Sequence, residues 1–170
     1  MIELLLVLGL CGLLWLALRG STWQRPRSTQ ADEKALRAYE ARHSLFVNGA
    51  ETAFFAALTR HKPAGYHVFS KVRLEDILQV KTEIKNQQAR WQYRGRIKSR
   101  HIDFLICRKN GAFICAIELD GSAHQGAEAH MVDQFKDEIF ASAGLKLLRV
   151  QTGDDFDGFS RTLWTKINRN

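Results

Sequence analysis

With 170 residues, a net charge of +7 and 45% hydrophobic residues, the chain has room for one domain plus an appendage. Three cysteines with no CxxC pair and no Cys/His ligand spacing exclude a zinc module and fit a reducing compartment. No internal repeat or low-complexity tract is visible.

Residues 1–19 are nearly all apolar, and Leu4 to Leu18 carries no charge. A secretory signal calls for a positive n-region and a small-x-small cleavage site, and neither is present. The segment is expected to be a transmembrane anchor, slightly shorter than the roughly 20 residues of a full span. Arg19, Arg25 and Arg27 follow it, so the positive-inside rule places the remainder in the cytoplasm, at the inner membrane. Residues 20–44 read as a polar linker around Pro26 and an exposed helix over Asp32–His43, carrying Leu36 and Tyr39, that spaces the anchor from a domain over 45–170.

The domain opens at Asn48-Gly-Ala-Glu51, which has the spacing of a capping box, and Phe54, Phe55 and Leu58 make the apolar side of a helix ending before Pro63. Tyr66–Val72 alternates as a strand does, and Leu74–Leu78 is a short turn or helix. Lys81 to His101 has no clean period. It holds Lys81, Lys85, Arg90, Arg94, Arg96, Lys98 and Arg100 against Glu83 alone, interleaved with Trp91 and Tyr93. Such a segment suits a phosphate-backbone contact surface, and a solvated basic loop is the plainer alternative.

Two near-continuous apolar runs follow, Ile102–Cys107 and Ala112–Leu119, of the kind covered on both faces of a sheet. Asn110-Gly111 between them predicts a two-residue type I′ hairpin. In that register Lys109 faces Ala112, Cys107 faces Ile114, Leu105 faces Ala116, Asp103 faces Glu118 and His101 faces Asp120. Opposed residues share a face about 5 Å apart, so His101, Asp103, Glu118 and Asp120 should cluster, while Cys107 and Cys115 project to opposite faces and cannot pair. Carboxylates that close need a raised pKa or a hard cation between them. Ala127–Ala143 is helical in pattern, with Gly144 placed as its cap. Leu145–Val150 reads as a strand and Phe156–Ile167 as a closing helix. The order is helix, strand, strand, strand, helix, strand, which makes an α/β sandwich with a mixed sheet and helices on both faces.

That αβββαβ order, with Asp103 upstream of Glu118-Leu-Asp120, resembles the PD-(D/E)XK, or restriction-endonuclease-like, superfamily. More narrowly, Asn48-Gly-Ala-Glu51-Thr-Ala-Phe54, Phe69-Ser-Lys71-Val-Arg73, Lys98-Ser-Arg-His101-Ile-Asp103-Phe, Ile117-Glu-Leu-Asp-Gly-Ser-Ala-His124, Asp133-Gln-Phe-Lys136-Asp137 and Ala143-Gly-Leu-Lys-Leu-Leu-Arg149 resemble domain-of-unknown-function 2726. The resemblance spans residues 45–151.

It implies Mg²⁺-assisted hydrolysis of phosphodiester bonds, with Mn²⁺ as a possible substitute. The partner implied is nucleic acid, DNA ahead of RNA. Asp103 and Glu118 take the metal-binding positions, Asp120 is added as a third ligand, and Glu51 matches an extra acid of many members, or else simply completes the capping box. Asp120 stands where the motif has lysine. Lys98 and Lys136 are candidates to replace that charge, with Lys71 more remote, and His101 and His124 could serve as acid or base. His124 could instead cap the following helix or bond Asp120, and Lys136 could pair with Asp133 or Asp137. Arg149 could hold a phosphate, neutralise the acids or make a structural salt bridge. The nucleic-acid surface is assigned to Lys71, Arg94, Arg96, Lys98, Arg100 and His101. Two alternatives remain beside a membrane-tethered nuclease: a catalytically silent nucleic-acid-binding module, and a membrane-associated interaction protein with a structural or regulatory metal site.

Overall fold

The computed structural model describes residues 35–121 and 127–169, and the chain divides after His43 into two units. In the first, the described residues hold one helical turn at Ala35 and Leu36 and then irregular chain. The helix expected over Asp32–His43 therefore does not run through its second half. Leu36 and Tyr39 are both exposed, and a short helix that buries no apolar face is marginal in water. The anchor expected over residues 1–19 lies outside the described residues; among the described residues no helix is long and apolar enough to cross a membrane.

The second unit is mixed α/β. In chain order it comprises α1 (Gly49–Arg60), β1 (Tyr66–Arg73), α2 (Leu74–Ile77), α3 (Gln87–Ile97), β2 (His101–Arg108), β3 (Phe113–Asp120), α4 (Ala127–Ala143), β4 (Lys146–Gln151) and α5 (Phe156–Arg169). The sheet runs β1-β2-β3-β4, antiparallel across the first three strands and parallel between β3 and β4. The α4 crossover makes the parallel pairing possible, since parallel neighbours need a long connection.

Side chains alternating along the strands enter two cores. One packs Phe54 and Leu58 of α1 and Trp164 and Ile167 of α5 against Phe104, Ile106, Cys115, Ile117 and Val150. The other packs Leu74, Ile97 and Phe140 of α2, α3 and α4 against Ile102, Leu105, Cys107 and Ala116. Cys107 and Cys115 thus lie in different cores and are free thiols, as the strand pattern requires. The Trp164 indole N–H donates to the Leu58 carbonyl at 2.9 Å, tying α5 to α1.

Helix α3 lies within the basic segment whose sequence shows no period. It buries only Ile97, so no apolar stripe announces it. Local terms make it instead: Asn86 caps its start by accepting from the Ala89 N–H at 3.0 Å, and its Gln, Ala and Arg residues are good helix formers.

The β2–β3 hairpin corrects the expected turn. The Arg108 N–H donates to Ala112 O at 2.8 Å, which leaves Lys109, Asn110 and Gly111 as a three-residue loop with Gly111 at φ +85°. Asn110 does not adopt the positive φ that type I′ demands, so Lys109 does not face Ala112. Cys107 accordingly pairs with Phe113 in place of Ile114. A bulge between Ile106 and Cys107 then takes up the extra residue, and Ile106–Cys115, Leu105–Ala116 and Phe104–Ile117 fall in the expected register.

Strands β1 and β2 both change face at one rung. Val68 packs in the first core and Val72 in the second, while Phe104 packs in the first and Ile102 in the second. Residues an even number apart share a face in a regular strand. The slip falls between Ser70–Phe104 and Val72–Ile102, at Lys71 and Asp103. Lys71 adopts φ +55°, the only positive φ of a non-glycine residue among the described residues, a conformation that costs an L-residue about 1–2 kcal/mol.

Candidate active site

Past Phe104–Ile117 the paired register of β2 and β3 ends, and Asp103 fills the opening. Its Oδ2 accepts from the Leu119 N–H at 3.0 Å, so a carboxylate replaces the next carbonyl of the ladder. Its Oδ1 lies 2.8 Å from Lys71 Nζ. That same ammonium donates to Glu51 Oε1 at 2.7 Å. Glu51 is nearly buried at the start of α1, where its N–H donates to Asn48 Oδ1 at 2.9 Å and its Oε2 accepts from the Val47 N–H at 3.0 Å. Asn48 thus caps the helix, but the reciprocal bond of a capping box is not made to it: the second Glu51 oxygen holds the residue before the cap while the first enters the site. Burial opposes the Lys71 charge, but its hydrogen bonds to Asp103 and Glu51 outweigh that cost and raise its pKa above the ordinary lysine value.

Glu118 follows Ala116 on the face covered by α4 and is 7% exposed. Lys136 reaches down from α4 to donate to Glu118 Oε1 at 2.8 Å. Burial nevertheless dominates: loss of hydration, reinforced by the charge of Asp103, pushes the Glu118 carboxyl up to about 7 against the pull of Lys136 and Arg149. His101, at the start of β2, is held below the ordinary imidazole pKa. Loss of part of its hydration and the positive charges of Lys71 and Lys136 prevail over Asp103 and Glu51.

Glu51, Asp103, Glu118 and Lys136 are thus gathered at one end of the sheet, and Lys71 belongs with them. Its ammonium lies between Glu51 and Asp103 and is not remote from the acids. Pairing of β1 with β2 sets it opposite Asp103, a register that β1 alone does not reveal because nothing in its own sequence marks the partner residue. Lys98 makes no ion pair with any of the acids among the described residues.

Asp120 takes a different course. The parallel β4 strand sets it beside Gln151, and Arg149 Nη1 lies 2.9 Å from its Oδ1. Arg149 also holds Asp137 at 3.0 Å and Asp133 at 3.5 Å. Against the cost of burial these three carboxylates raise the Arg149 pKa further, so Arg149 neutralises an acidic cluster. The expected pairing of His101 with Asp120 is not made: His101 pairs with Arg73 of β1, because β2 has parted from β3 by that point. His124 lies outside the described residues.

The basic segment is partly self-satisfied. Arg94 pairs with Glu75, and Arg100 donates to the Arg96 carbonyl and lies 5.2 Å over the Phe135 ring. Arg96 and Lys98 are exposed and have no acidic partner among the described residues.

Among the described residues no three carboxylate, imidazole or thiolate groups converge to hold a metal ion as they stand. The donor chemistry still suits a hard divalent cation. Two carboxylate oxygens, of Glu51 and Asp103, already share one positive centre, and Glu118 is buried where its charge needs compensation.

A family model described as Protein of unknown function (DUF2726) matches residues 43–166. Among curated proteins and among solved structures, none matches the chain.

Proposed function

This chain belongs to the DUF2726 family, and we propose that it is a divalent-metal-dependent nuclease with a restriction-endonuclease-like domain tethered to the inner membrane by residues 1–19. The observation that carries this reading is the gathering of Glu51, Asp103 and Glu118 with two lysines where β2 and β3 part. Asp103 and Glu118, with Glu51, would hold Mg²⁺ or Mn²⁺. Such an ion polarises a scissile phosphate and lowers the pKa of a bound water. Lys136 brings positive charge from α4 to the glutamate beside which the motif's lysine would stand. Its role would be to stabilise charge that builds on the phosphate. Arg96 and Lys98 would contact the phosphate backbone of a nucleic acid held across α3.

A second reading is favoured by the same ion pairs: with Lys71 and Lys136 already compensating three acids, the fold could serve as a silent nucleic-acid-binding module. Incubating the full chain with single- and double-stranded DNA and RNA in Mg²⁺ or Mn²⁺, beside an Asp103→Asn, Glu118→Gln double variant, separates the two. The nuclease reading expects cleavage by the wild type and at least about a thousandfold less by the variant. Equal cleavage by both would refute it. Binding without cleavage, weakening steeply with salt, would favour the second reading.

A further inference from the structure

Lys71 is used unusually for a strand lysine. It sits opposite Asp103 at the rung where β1 and β2 both change face, its backbone is the sole non-glycine with positive φ among the described residues, and its ammonium is shared between carboxylates of α1 and β2. A lysine held in that conformation is kept there by its contacts, because the backbone alone favours another. The contacts are to the oxygens of Glu51 and Asp103, at 2.7 and 2.8 Å.

We propose that the Lys71 ammonium is a resident cation that occupies the Glu51–Asp103 seat, so that a divalent metal enters only by displacing it. The proposal rests on the nuclease reading for the role of the metal, and it adds a residue that governs when the metal binds. Two carboxylates brought together at low exposure repel each other unless a positive charge lies between them. In the resting protein Lys71 supplies that charge. A divalent cation offers twice the charge in a smaller volume, and it must first break both lysine hydrogen bonds. The displaced ammonium, on a long flexible side chain, remains within reach of the same site and is then free to meet a phosphate oxygen.

The full chain, purified free of metal, is titrated with Mn²⁺ while the free ion is followed by electron paramagnetic resonance, and thermal unfolding is recorded with and without Mn²⁺. Lys71→Gln removes the competing charge while keeping much of the side chain. Lys71→Asn does the same with a residue that tolerates φ near +55°. Both variants are expected to bind Mn²⁺ about ten- to a hundredfold more tightly than wild type, the range by which a neighbouring charge shifts an ionic equilibrium. Both should also gain more in unfolding temperature from the metal. Variants that fold only with Mn²⁺ would support the proposal, since the metal then replaces the ammonium. Binding equal to or weaker than wild type would overturn it and leave the nuclease reading standing. Variants that stay unfolded in millimolar Mn²⁺ would overturn it as well. Failure of wild type and variants alike to bind Mn²⁺ would overturn both readings together.

Discussion

Replacing Glu118 by glutamine should flatten the pH dependence of stability in metal-free buffer. The Glu118 carboxyl is 7% exposed, and burial raises its pKa from 4.5 to about 7. The unfolded chain restores the ordinary value, so between about pH 4.5 and 7 the folded state holds a proton that the unfolded state has released. Stability due to this group is fully present below the unfolded pKa and is lost as pH rises through the folded one. A separation of roughly 2.5 units corresponds to about 3 kcal/mol, an order-of-magnitude figure. Glutamine cannot titrate, and its amide replaces the oxygen that accepts from Lys136, an offset that does not itself vary with pH. The informative quantity is therefore the change with pH of the difference between the two proteins. Urea unfolding from pH 5 to 8.5 with a chelator present measures it. Wild type should lose about 2.5 kcal/mol relative to Glu118→Gln as pH rises through this range, the first part of the loss falling below pH 5. A difference that stays constant, or that moves in favour of wild type, would refute the claim that desolvation dominates Glu118.

Two further outcomes test the fold and the proposed nucleic-acid surface. Gly111→Ala places a side chain at φ +85° in open space, so only backbone strain is added, and urea unfolding should show a loss of about 1 kcal/mol; no loss would mean that the loop is not the three-residue form. An Arg96→Ala, Lys98→Ala double variant should lower the steepness of nucleic-acid binding against salt by about two ion equivalents, whereas Arg94→Ala, already neutralised by Glu75, should change it by less. A larger effect from Arg94 in a filter-binding titration would reverse the assignment.

What could be read from the sequence and what could not divides along physical lines. The hairpin strands, α1, α4, β4 and α5 bury apolar faces, and burial writes a period into the residues. The pairing of Phe104 with Ile117 follows the expected register despite the longer turn, because the bulge at Ile106–Cys107 takes up the extra residue, but the ladder ends one pair short of Asp103 and Glu118. Helix α3 leaves no mark in the hydrophobic pattern because capping and backbone propensity, which carry no period, make it. The nearness of Lys71 to the acids is not legible in β1, because it comes from a pairing between strands distant in sequence and from one strained residue. Opposing His101 to Asp120 extends a ladder that ends three residue pairs earlier, at Phe104–Ile117. An acid filling the place of a ladder carbonyl, as Asp103 does, is a tertiary event that alternation alone cannot disclose.

Asp120, the departure from the resembled motif, is then explained by its neighbours. In a regular strand residues 118 and 120 point the same way, so a lysine at 120 would meet Glu118 along β3. Here β4 lies parallel to β3 and brings Arg149 beside that position. An acid at 120 joins Asp133 and Asp137 around one guanidinium, which anchors α4 to β4. The anchoring matters for Lys136, which lies between Asp133 and Asp137 on the same helix and reaches Glu118. The clamp fixes α4 at both sides of Lys136. Under the proposed reading, Asp120 acts through the position of Lys136. Asp120→Asn should then weaken the Lys136–Glu118 contact without removing an acid from the Glu51–Asp103 seat. Loss of Mn²⁺ binding as severe as in Asp103→Asn, measured by the same titration, would instead make Asp120 a direct ligand.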